Sequence, residues 1–491
     1  MKKISLQRFM RVMLCVSSLM IVFLCGCNRV LQESQTEMTE LWQPLFDGQS
    51  LDGWIRRGGE AKYEVIDGII KGTTVLNTSN SFLCTRQHYS DFILEFEFLV
   101  DPQLNSGVQI RSNSFPEYRN GRIHGYQVEI DPSQSPYDAT HGPNYQQDGS
   151  EAPNTEPRSW TGGIYDEAGR GWLYPLKHNP KARKAFKPGQ WNHTRIEAVG
   201  DTIKTWINNV PTAHLVDTTT RDGFIALQVH GIGKQKEKEG IFVQWRNIRI
   251  LTDNVSNHVR QTPLPAQNMF NKLTSNEKKG GWSLLWDGQT TNGWRSAKLE
   301  RFPAAGWIIE DDMLTVLESG GSESRAGGDI VTMDKYTNFE LCVDFKITPG
   351  ANSGIKYFVD TELNKGEGSA IGLEYQILDD ERHEDARHGA QPGSRTLSSL
   401  YDLIKAENKH PNPIGEWNHA RIISNNLHVE HWLNGRKVLE YERKSPAYRK
   451  LVSESKYEKW PAFGELPEGQ ILLQDHGNRV SFRNIKIKVL K

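Results

Sequence analysis

Apolar and polar residues alternate with period two in two stretches of the chain that resemble each other, residues 125–131 and 372–379. Such alternation is typical of a β-strand with one buried and one polar face. Each polar face carries one carboxylate and one carboxamide two residues apart, in the order Gln127 then Glu129 and Glu374 then Gln376. An ordinary half-exposed strand would alternate in the same way, so the pattern predicts two strands and makes their polar faces candidate sites.

Further segments return in the same order along the chain. Residues 45–54 match 285–294, 91–98 match 338–345, 105–108 match 352–355, 191–193 match 417–419, 227–231 match 473–477, and 246–248 match 483–485. Chance matches would not keep their order, so the repeats predict two duplicated domains, residues 41–252 and 274–491. Residues 253–273 are polar with two prolines and are predicted to form a linker.

The repeated segments are short, rich in aromatic and β-branched residues, and separated by Gly, Asn and Asp turns, which predicts an all-β fold. A copy of about 210 residues favours a sandwich of two antiparallel sheets over a barrel or propeller. Only two short helices are expected. One covers residues 179–186, and the other follows a predicted capping box at Thr274 and Glu277.

Composition narrows the choice of partner. The chain has 59 basic and 60 acidic residues, so charge gives no reason to expect nucleic acid or an anionic membrane surface as a partner. Its 14 Trp and 15 Tyr can stack on sugar rings, although most are expected to fill the cores. Apart from the N-terminal region only Cys84 and Cys342 are present, one in each half. No disulfide framework or cysteine zinc site is therefore predicted.

The first 27 residues are predicted to be a targeting segment. A basic start precedes an uncharged, largely apolar run at residues 12–27, shorter than the roughly 20 residues of a spanning helix. Its end, Leu24-Cys25-Gly26-Cys27, resembles the lipobox of bacterial lipoproteins. That resemblance implies acylation of Cys27, residues 28–40 as a tether, and a lipoprotein at the periplasmic or outer-membrane face. An ordinary cleaved signal peptide and an uncleaved anchor are the alternatives, and each also predicts export.

The ordered set of motifs resembles one known family. It comprises an Asp-Gly…Gly-Trp start, an Asn-Ser-Gly strand, the Glu/Gln strand, Tyr-Asp at Tyr165 and Tyr401, a Trp-Asn-His strand and an Arg-Asn-Ile end. In this order the motifs resemble the bacterial 3-keto-disaccharide hydrolase domain family over nearly all of both halves. The resemblance implies two tandem concanavalin A-like jelly-roll sandwiches that act on glycosides whose C3 hydroxyl has been oxidised to a ketone. It also implies an upstream sugar 3-dehydrogenase that supplies the substrate.

Such a substrate sets the chemistry of the site. A C3 ketone acidifies the C2 proton, removal of that proton expels the group at C1, and addition of water completes a net hydrolysis. The site needs a base, a stabiliser for the enolate oxygen and an acid for the leaving group. The candidate catalytic residues are Glu129, Asp131, His230 and Arg111 in the first domain, and Glu374 and His476 in the second. The candidate substrate-binding residues are Gln127, Trp160, Tyr165 and Gln228, and Lys356, Gln376, Tyr401 and Gln474.

The geometry expected of these residues follows from their strands. On a regular strand Arg111 lies on the face opposite Val108 and Ile110, where it could bind the enolate oxygen. Phe358 occupies the matching position of the second copy, so the two sites cannot be identical. Glu129 and His230 in the first domain, and Glu374 and His476 in the second, are expected to converge in a concave pocket of their own domain, because alternate residues of their strands are apolar. The alternative for each histidine is a sheet-end residue that bonds to backbone.

Two questions stay open at the level of sequence. Asp379 and His383 are candidate ligands of a divalent metal ion, although no tight ligand spacing is visible, and no other cofactor is implied. A glucanase of the same fold would use Glu-x-Asp-x-x-Glu, but Gln134 occupies the last position in the first copy. A non-catalytic, lectin-like surface lipoprotein is the stronger alternative, since one fold hosts both lectins and enzymes.

Overall fold

Two sandwiches of antiparallel sheets follow one another along the chain. The computed structural model describes residues 41–132, 160–321, 327–364, 366, 368–460 and 462–491. Cys27, with the predicted targeting segment and tether, lies outside the described residues. The prediction of two tandem all-β sandwich domains is confirmed.

The first domain contains strands β1 to β15. Their bounds are β1 Gln43–Pro44, β2 Trp54–Gly58, β3 Lys62–Ile66, β4 Ile69–Thr73, β5 Ser81–Thr85, β6 Phe92–Val100, β7 Ser106–Asn113, β8 His124–Ile130, β9 Ile164–Glu167, β10 Gly171–Tyr174, β11 Asn192–Val199, β12 Thr202–Ile207, β13 Val210–Val216, β14 Phe224–Val229 and β15 Phe242–Leu251. One sheet has the order β13-β12-β11-β6-β15-β4-β3, with β1 beside β15. The facing sheet has the order β10-β9-β8-β7-β14-β5-β2.

The linker and the second domain supply β16 to β29. Their bounds are β16 Gln267–Asn268, β17 Trp282–Leu284, β18 Trp294–Ser296, β19 Trp307–Glu310, β20 Met313–Val316, β21 Ile330–Thr332, β22 Phe339–Ile347, β23 Asn352–Asp360, β24 Ile371–Leu378, β25 Asn418–Asn425, β26 His428–Leu433, β27 Arg436–Glu442, β28 Gln470–Leu473 and β29 Val480–Val489. In the second domain one sheet has the order β19-β20-β29-β22-β25-β26-β27, with β17 beside β29, and the facing sheet has the order β18-β21-β28-β23-β24.

Each core lies between the two sheets of its own domain. In the first domain Tyr126, Val128 and Ile130 of β8 are buried in the same cluster as the apolar side of β6. In the second domain Tyr375 and Ile377 of β24 belong to the corresponding cluster. Because the side chains alternate, the polar residues of β8 and β24 lie on the face of the sheet that is turned away from the core.

In the described part of the chain the α-helices are few and short, as predicted. They are α1 Pro180–Arg183, α2 Ser275–Lys279 and α3 Pro446–Ser453. Helix α1 is shorter than the predicted 179–186 and is capped by the side chain of Asn179. Helix α2 opens with the predicted capping box of Thr274 and Glu277. Helix α3 was not predicted. Among the described residues no helix is long and apolar enough to cross a membrane.

The segment predicted to be a linker is ordered against the first domain. Strand β16 pairs in parallel with β13, and Met269 just beyond it is buried in the first core. Val255 is buried with Ile93 and Leu251. These apolar residues attach the polar, proline-containing segment to the first sandwich, so residues 253–273 are not a free tether.

The two domains also contact each other directly. Arg221 Nη1 lies 2.9 Å from Glu416 Oε2, and Arg483 Nη2 donates to Thr218 Oγ1 at 3.0 Å. The guanidinium of Arg436 lies 4.1 Å from the ring centroid of Phe115. The interface is therefore built in large part from charged side chains.

Candidate active site

The polar face of the first domain is organised in rows across β14, β7 and β8. Gln228 is opposite Gly107, and Gly107 is opposite Glu129. In the neighbouring row Gln109 is opposite Gln127. Directly opposite residues of antiparallel strands project to the same side, so Gln228 and Glu129 share this face across the glycine.

A chain of hydrogen bonds holds this face in place. Gln109 Nε2 donates to Gln127 Oε1 at 2.6 Å, and Gln127 Nε2 donates to Glu129 Oε2 at 2.9 Å. Asn105 Nδ2 donates to Glu129 Oε1 at 2.5 Å. Gln127 and Glu129 are only 3% and 2% exposed. Burial of a carboxylate requires such donors, and here amide groups supply them.

Gln228 lies on the same face but is bonded differently. Within the described part of the chain, neither amide atom of its buried side chain has a hydrogen-bond partner. Burying an unpaired amide costs roughly 1–3 kcal/mol, so a polar ligand is a reasonable partner for this group.

An aromatic group adjoins the amide chain. Tyr165 is opposite Gln127 on one side and opposite Trp172 of β10 on the other. The ring of Trp172 packs edge-on against Trp160 at 4.6 Å and against Tyr165 at 5.2 Å between centroids. Trp160 is almost fully buried, whereas Tyr165 and Trp172 are partly exposed. Aromatic rings beside amides suit a sugar, whose ring stacks while its hydroxyls form hydrogen bonds.

Two further candidates of the first domain, His230 and Asp131, lie at the ends of the strands that form this face, and each forms hydrogen bonds with the backbone or side chain of another residue. His230 directly follows β14, and its Nδ1 lies 2.8 Å from the carbonyl oxygen of Gly231. Val229 pairs with Ser106, so His230 and Asn105 lie at the same end of the two strands. Asp131 is buried, and its backbone exchanges hydrogen bonds of 3.0 Å with the hydroxyl of Thr161. From this end of the strands, Asn105 donates to Glu129 Oε1.

The expected position of Arg111 is wrong. The strand is bulged between Ile110 and Asn113, and Arg111 has a φ of 46° instead of an extended backbone. Its guanidinium donates to the carbonyl oxygens of Ser90 at 2.6 Å and Gly200 at 2.8 Å. Gly200 lies in the β11–β12 turn of the facing sheet. Arg111 therefore braces the two sheets, and this geometry does not support a role in enolate binding.

The second domain repeats the rows with different chemistry. The backbone N–H of Gln474 donates to the carbonyl oxygen of Gly354 at 3.0 Å, and Gly354 is opposite Gln376. In the neighbouring row Lys356 is opposite Glu374. The position of Glu129 is thus taken by Gln376, and that of Gln127 by Glu374. Two neutral amides in the first domain correspond to an ion pair in the second.

Lys356 and Glu374 form the charged centre of this face. Lys356 Nζ lies 3.5 Å from Glu374 Oε2, and both side chains are buried. The ammonium also donates to Ser369 Oγ at 2.5 Å, and Ser369 in turn donates to Asp329. A buried lysine flanked by these acceptors keeps its hydrogen bonds satisfied.

Tyr401 flanks Glu374 on the other side. Its backbone N–H donates to the carbonyl oxygen of Glu374 at 3.0 Å, and its hydroxyl donates to Asp385 Oδ2 at 2.8 Å. Burial and the negative charge of Glu374 raise the pKa of the Tyr401 hydroxyl. The phenol therefore carries its proton at neutral pH. Arg395 Nη1 holds Asp385 at 2.8 Å.

The far end of this face contains two histidines. Asn352 Nδ2 lies 3.3 Å from His476 Nε2, and Asn352 Oδ1 accepts from Gln376 Nε2 at 3.3 Å. The rings of His383 and His476 meet edge-on, with centroids 6.1 Å apart. Burial, with a further contribution from His476, lowers the pKa of His383. His476 and Glu374 thus share the face but are separated by the row of Gln376.

The residues do not fit a metal site at Asp379 and His383. Asp379 Oδ2 accepts from the backbone of Gly350 at 2.8 Å and from Arg382 Nη1 at 3.1 Å. His383 Nδ1 accepts from the backbone of Asp385 at 3.2 Å. Asp379 therefore stabilises the turn after β24, and an arginine already neutralises it.

Across the described residues, one group of three potential ligands has its donor atoms within 4.8 Å of one another, and it consists of His428, Glu430 and Glu440. Lys437 Nζ lies 2.7 Å from Glu440 and 3.4 Å from Glu430. This cluster is on the opposite sheet from Glu374. Its carboxylates already have a cationic partner, so it does not serve the candidate site.

Comparison with known proteins identifies the family. The family model described as a 3-keto-alpha-glucoside-1,2-lyase-like domain matches residues 41–251 and 281–488, which together cover most of the chain. The chain belongs to this family. It therefore contains two copies of the 3-keto-alpha-glucoside-1,2-lyase-like domain, and the resemblance read from the motifs is confirmed.

The chain is also similar to individual proteins. The 3-keto-disaccharide hydrolase of Bacteroides thetaiotaomicron is 39% identical over 230 residues, which cover 43% of this chain and 79% of that protein. A crystal structure from Parabacteroides distasonis, of a protein assigned as a glycosyl hydrolase, is 31% identical and covers 45% of this chain and all of that one, with a TM-score of 0.40. A second from the same organism is 30% identical, covers 43% and 99%, and has a TM-score of 0.33. This member of the 3-keto-alpha-glucoside-1,2-lyase-like family is an enzyme of the glycoside-cleaving class.

Several residues of these two domains were not singled out from the sequence. They are Asn105, Gln109, Trp172, Ser369 and Asp385. Asn105 was visible only as part of an Asn-Ser-Gly repeat, and Gln109 could have been found by extending the period-two argument from β8 to β7. Ser369 and Asp385 lie in connections, where no periodicity indicates which way a side chain points.

Proposed function

We propose that the protein cleaves glycosides oxidised at C3, and that the second domain performs the chemistry. The observation that carries the proposal is the buried pair of Lys356 and Glu374, with Tyr401 beside it. The family supplies the substrate class, because its description and that of the Bacteroides relative both specify 3-keto sugars. Within that class, these three side chains offer the base, the enolate stabiliser and the acid that the reaction needs.

Each group has a defined task. The Glu374 carboxylate takes the proton from C2, and the electrons of the C–H bond pass to C3 and its oxygen as an enolate. The ammonium of Lys356 stabilises that oxygen. When the enolate collapses, a C1–C2 double bond forms and the C1–O bond breaks. The departing oxygen receives a proton from the Tyr401 hydroxyl, and addition of water across the double bond completes a net hydrolysis.

The first domain favours a second function, which is carbohydrate binding. Its row contains Gln109 and Gln127 where the second domain has Lys356 and Glu374. Glu129 lies one row away and accepts hydrogen bonds from amides on both oxygens. The rings of Tyr165 and Trp172 are partly exposed and can stack on a sugar, and the amides beside them can form hydrogen bonds with its hydroxyls. We propose that this domain holds part of a glycan while the second domain cleaves it.

One pair of variants tests whether the second domain cleaves the substrate and the first domain binds it. The substrates are a 3-keto-glucoside and its unoxidised parent, each with and without a chelator. We expect Glu374→Gln to lower kcat on the ketone by about a hundredfold or more, because a positioned general base typically contributes that much. The matched variant Glu129→Gln should weaken binding and leave kcat within a few-fold. In D₂O, the product of elimination followed by addition of water should carry deuterium at C2, and the Glu374→Gln variant should form this labelled product about a hundredfold more slowly than the wild type.

The opposite pattern would contradict the assignment. If Glu129→Gln abolishes turnover and Glu374→Gln does not, the catalytic role belongs to the first domain. If neither variant changes the rate, neither carboxylate is the base. Cleavage of the unoxidised parent at the same rate as the ketone would reject elimination altogether.

We also propose that the enzyme is an exported lipoprotein and that a sugar 3-dehydrogenase supplies its substrate. The lipobox-like sequence before Cys27 supports the first point, and the need for a preformed ketone supports the second. Changing Cys27→Ser should move the protein from the membrane fraction to the soluble exported fraction, since acyl chains hold it by about 0.8 kcal/mol per buried methylene. Membrane retention equal to that of the parent would reject the lipid anchor.

A further inference from the structure

A pocket of about 210 Å³ lies at one end of the second domain's polar face. Its lining includes Lys356 and Gly372 of the sheet, Ser369 before it, and Lys456, Lys459 and Trp460 from the connection between β27 and β28. Gly372 precedes Glu374 by two residues on the same strand, a distance of about 7 Å. The pocket therefore adjoins the pair of Lys356 and Glu374 proposed to do the chemistry.

The charged residues of the described pocket lining are all lysines. Lys456 Nζ lies 4.2 Å from the ring centroid of Tyr401, and Lys459 Nζ lies 5.5 Å from that of Trp460. Among the described residues, the carboxylates near this group include Glu374, which is 3.5 Å from Lys356, Asp329, which is bonded to Ser369, and Asp385, which accepts from the Tyr401 hydroxyl. Glu374 and Asp329 approach from the Lys356 side, and Arg395 already holds Asp385. The outer part of the pocket therefore presents the ammonium groups of Lys456 and Lys459.

Among its described residues, the first domain has no equivalent of this outer part. There the corresponding connection between β13 and β14 covers only residues 217–223, whereas the connection between β27 and β28 covers residues 443–469 and includes α3. Gln109 also replaces Lys356 in the neighbouring row. The lysines therefore distinguish the proposed cleavage site from its duplicate.

We infer that this pocket binds an anionic substituent, a carboxylate or a sulfate, on the glycoside that the enzyme cleaves. Ammonium groups attract such an oxyanion and donate hydrogen bonds to it, and Trp460 offers a ring on which the sugar can stack. The inference rests on the proposed function for the identity of the reacting sugar. It adds that the second domain selects acidic or sulfated glycosides over neutral ones.

Binding by the full-length protein tests the inference without any cleavage. The probes are an unoxidised glucose disaccharide, the same disaccharide with a carboxylate at C6, and the same disaccharide with a sulfate on O6. We expect at least one anionic form to bind about tenfold more tightly than the neutral form, as hydrogen bonds to charged groups commonly provide. Raising the salt to about 0.5 M should reduce this preference.

Two pocket variants and one control locate the effect. Lys456→Gln and Lys459→Gln should each reduce the preference to about two- or threefold. Lys450→Gln makes the same change of charge on α3, where the side chain is 73% exposed and lies 3.8 Å from Glu454. It should keep the full preference. The melting temperature of each variant confirms that the domain is folded.

The results separate this inference from the proposed function. Equal affinity for neutral and anionic disaccharides, or a preference unchanged in both pocket variants, would overturn the inference while leaving 3-keto-glycoside cleavage intact. A lysine-dependent preference in a protein that cleaves no 3-keto-glycoside would support the pocket and reject the proposed reaction. Tight binding of only one anionic probe would support the inference and show whether the pocket recognises a carboxylate or a sulfate.

Discussion

At the scale of single residues, two glycines decide how the polar faces are arranged. A Cβ added to Gly354 would lie 2.5 Å from Glu374 Oε1, and one added to Gly107 would lie 2.5 Å from Gln127 Cδ. In both domains the polar side chain of the neighbouring strand leans across the space that a larger residue would occupy. The Asn-Ser-Gly repeat therefore has a steric function.

We predict that Gly354→Ala lowers kcat by about ten- to a hundredfold, because small displacements of a catalytic group are costly. The displaced atom is the flexible end of a side chain, so the melting temperature should change little. Gly107→Ala should disturb binding to the first domain and leave kcat nearly unchanged. Equal loss of kcat in both variants, measured with a 3-keto-glucoside, would argue against a special role for Glu374.

The alternation of β8 and β24 was enough to predict which carboxylates and amides share a face. It could not show that Gln127 of the first domain is opposite an amide, Gln109, or that Glu374 of the second is opposite an ammonium group, Lys356. Those partners depend on how β8 pairs with β7 and how β24 pairs with β23. Arg111 was misplaced because a bulge interrupts the alternation, and its counterpart Phe358 also has a positive φ, 51°. Bulges leave no period-two signal.

At the scale of elements, β25 and β26 carry three histidines, and two of them, His419 and His431, have opposite titration behaviour. His431 is buried in the core, where Nε2 accepts from the Tyr357 hydroxyl at 2.8 Å and Nδ1 donates to the carbonyl oxygen of Ser398 at 2.9 Å. Burial lowers the pKa of His431 to about 4. For His419, burial alone would lower the pKa, but the 2.7 Å contact with Asp344 raises it to about 9.

These shifts predict a maximum in the stability of the second domain near pH 6.5, the ordinary pKa of histidine. From pH 6.5 down to 4 the unfolded chain protonates His431 and the folded domain does not, so acid reduces the free energy of unfolding by up to about 3 kcal/mol. From pH 6.5 up to 9 the folded domain retains a proton on His419 that the unfolded chain releases, so stability falls again by a similar amount, about 3 kcal/mol.

The same substitution at each of these two histidines separates the acid part of the pH dependence from the alkaline part. His431→Gln should flatten the pH dependence of urea unfolding between pH 4 and 6.5, and His419→Gln should flatten it between pH 6.5 and 9. Each variant serves as the control for the other. If the stability of His431→Gln falls as steeply below pH 6.5 as that of the wild type, other groups cause the loss of stability in acid.

Connections were the elements least accessible from the sequence. Residues 443–469 contain α3 and two lysines of the pocket, Lys456 and Lys459, yet their period is neither that of a strand nor that of a long helix. The segment 253–273 was read as a linker from its prolines and polarity. Its few apolar residues, Val255 and Met269, were sufficient to attach it to the first sandwich.

At the scale of the whole molecule, this attachment sets the boundary of the first folding unit. A fragment of residues 41–252 and one of residues 274–491 should each fold into a soluble sandwich. A fragment of residues 41–273 should melt about 5 °C higher than 41–252, because it restores β16 and buries Met269. Equal melting temperatures of the two first-domain fragments in scanning calorimetry would show that the segment adds no stability.

The ionic contacts between the sandwiches have a consequence for how the intact chain denatures. Arg221 and Glu416 are each about one-third exposed, and Arg483 Nη2 lies 4.0 Å from Asp201. Counterions weaken such pairs, since the screening length falls from about 10 Å at 0.1 M salt to about 3 Å at 1 M. The two halves should therefore melt as one cooperative unit in dilute buffer and as two in concentrated salt. A calorimetric trace that keeps a single endotherm at both salt concentrations would indicate that apolar packing, which salt does not screen, joins the halves.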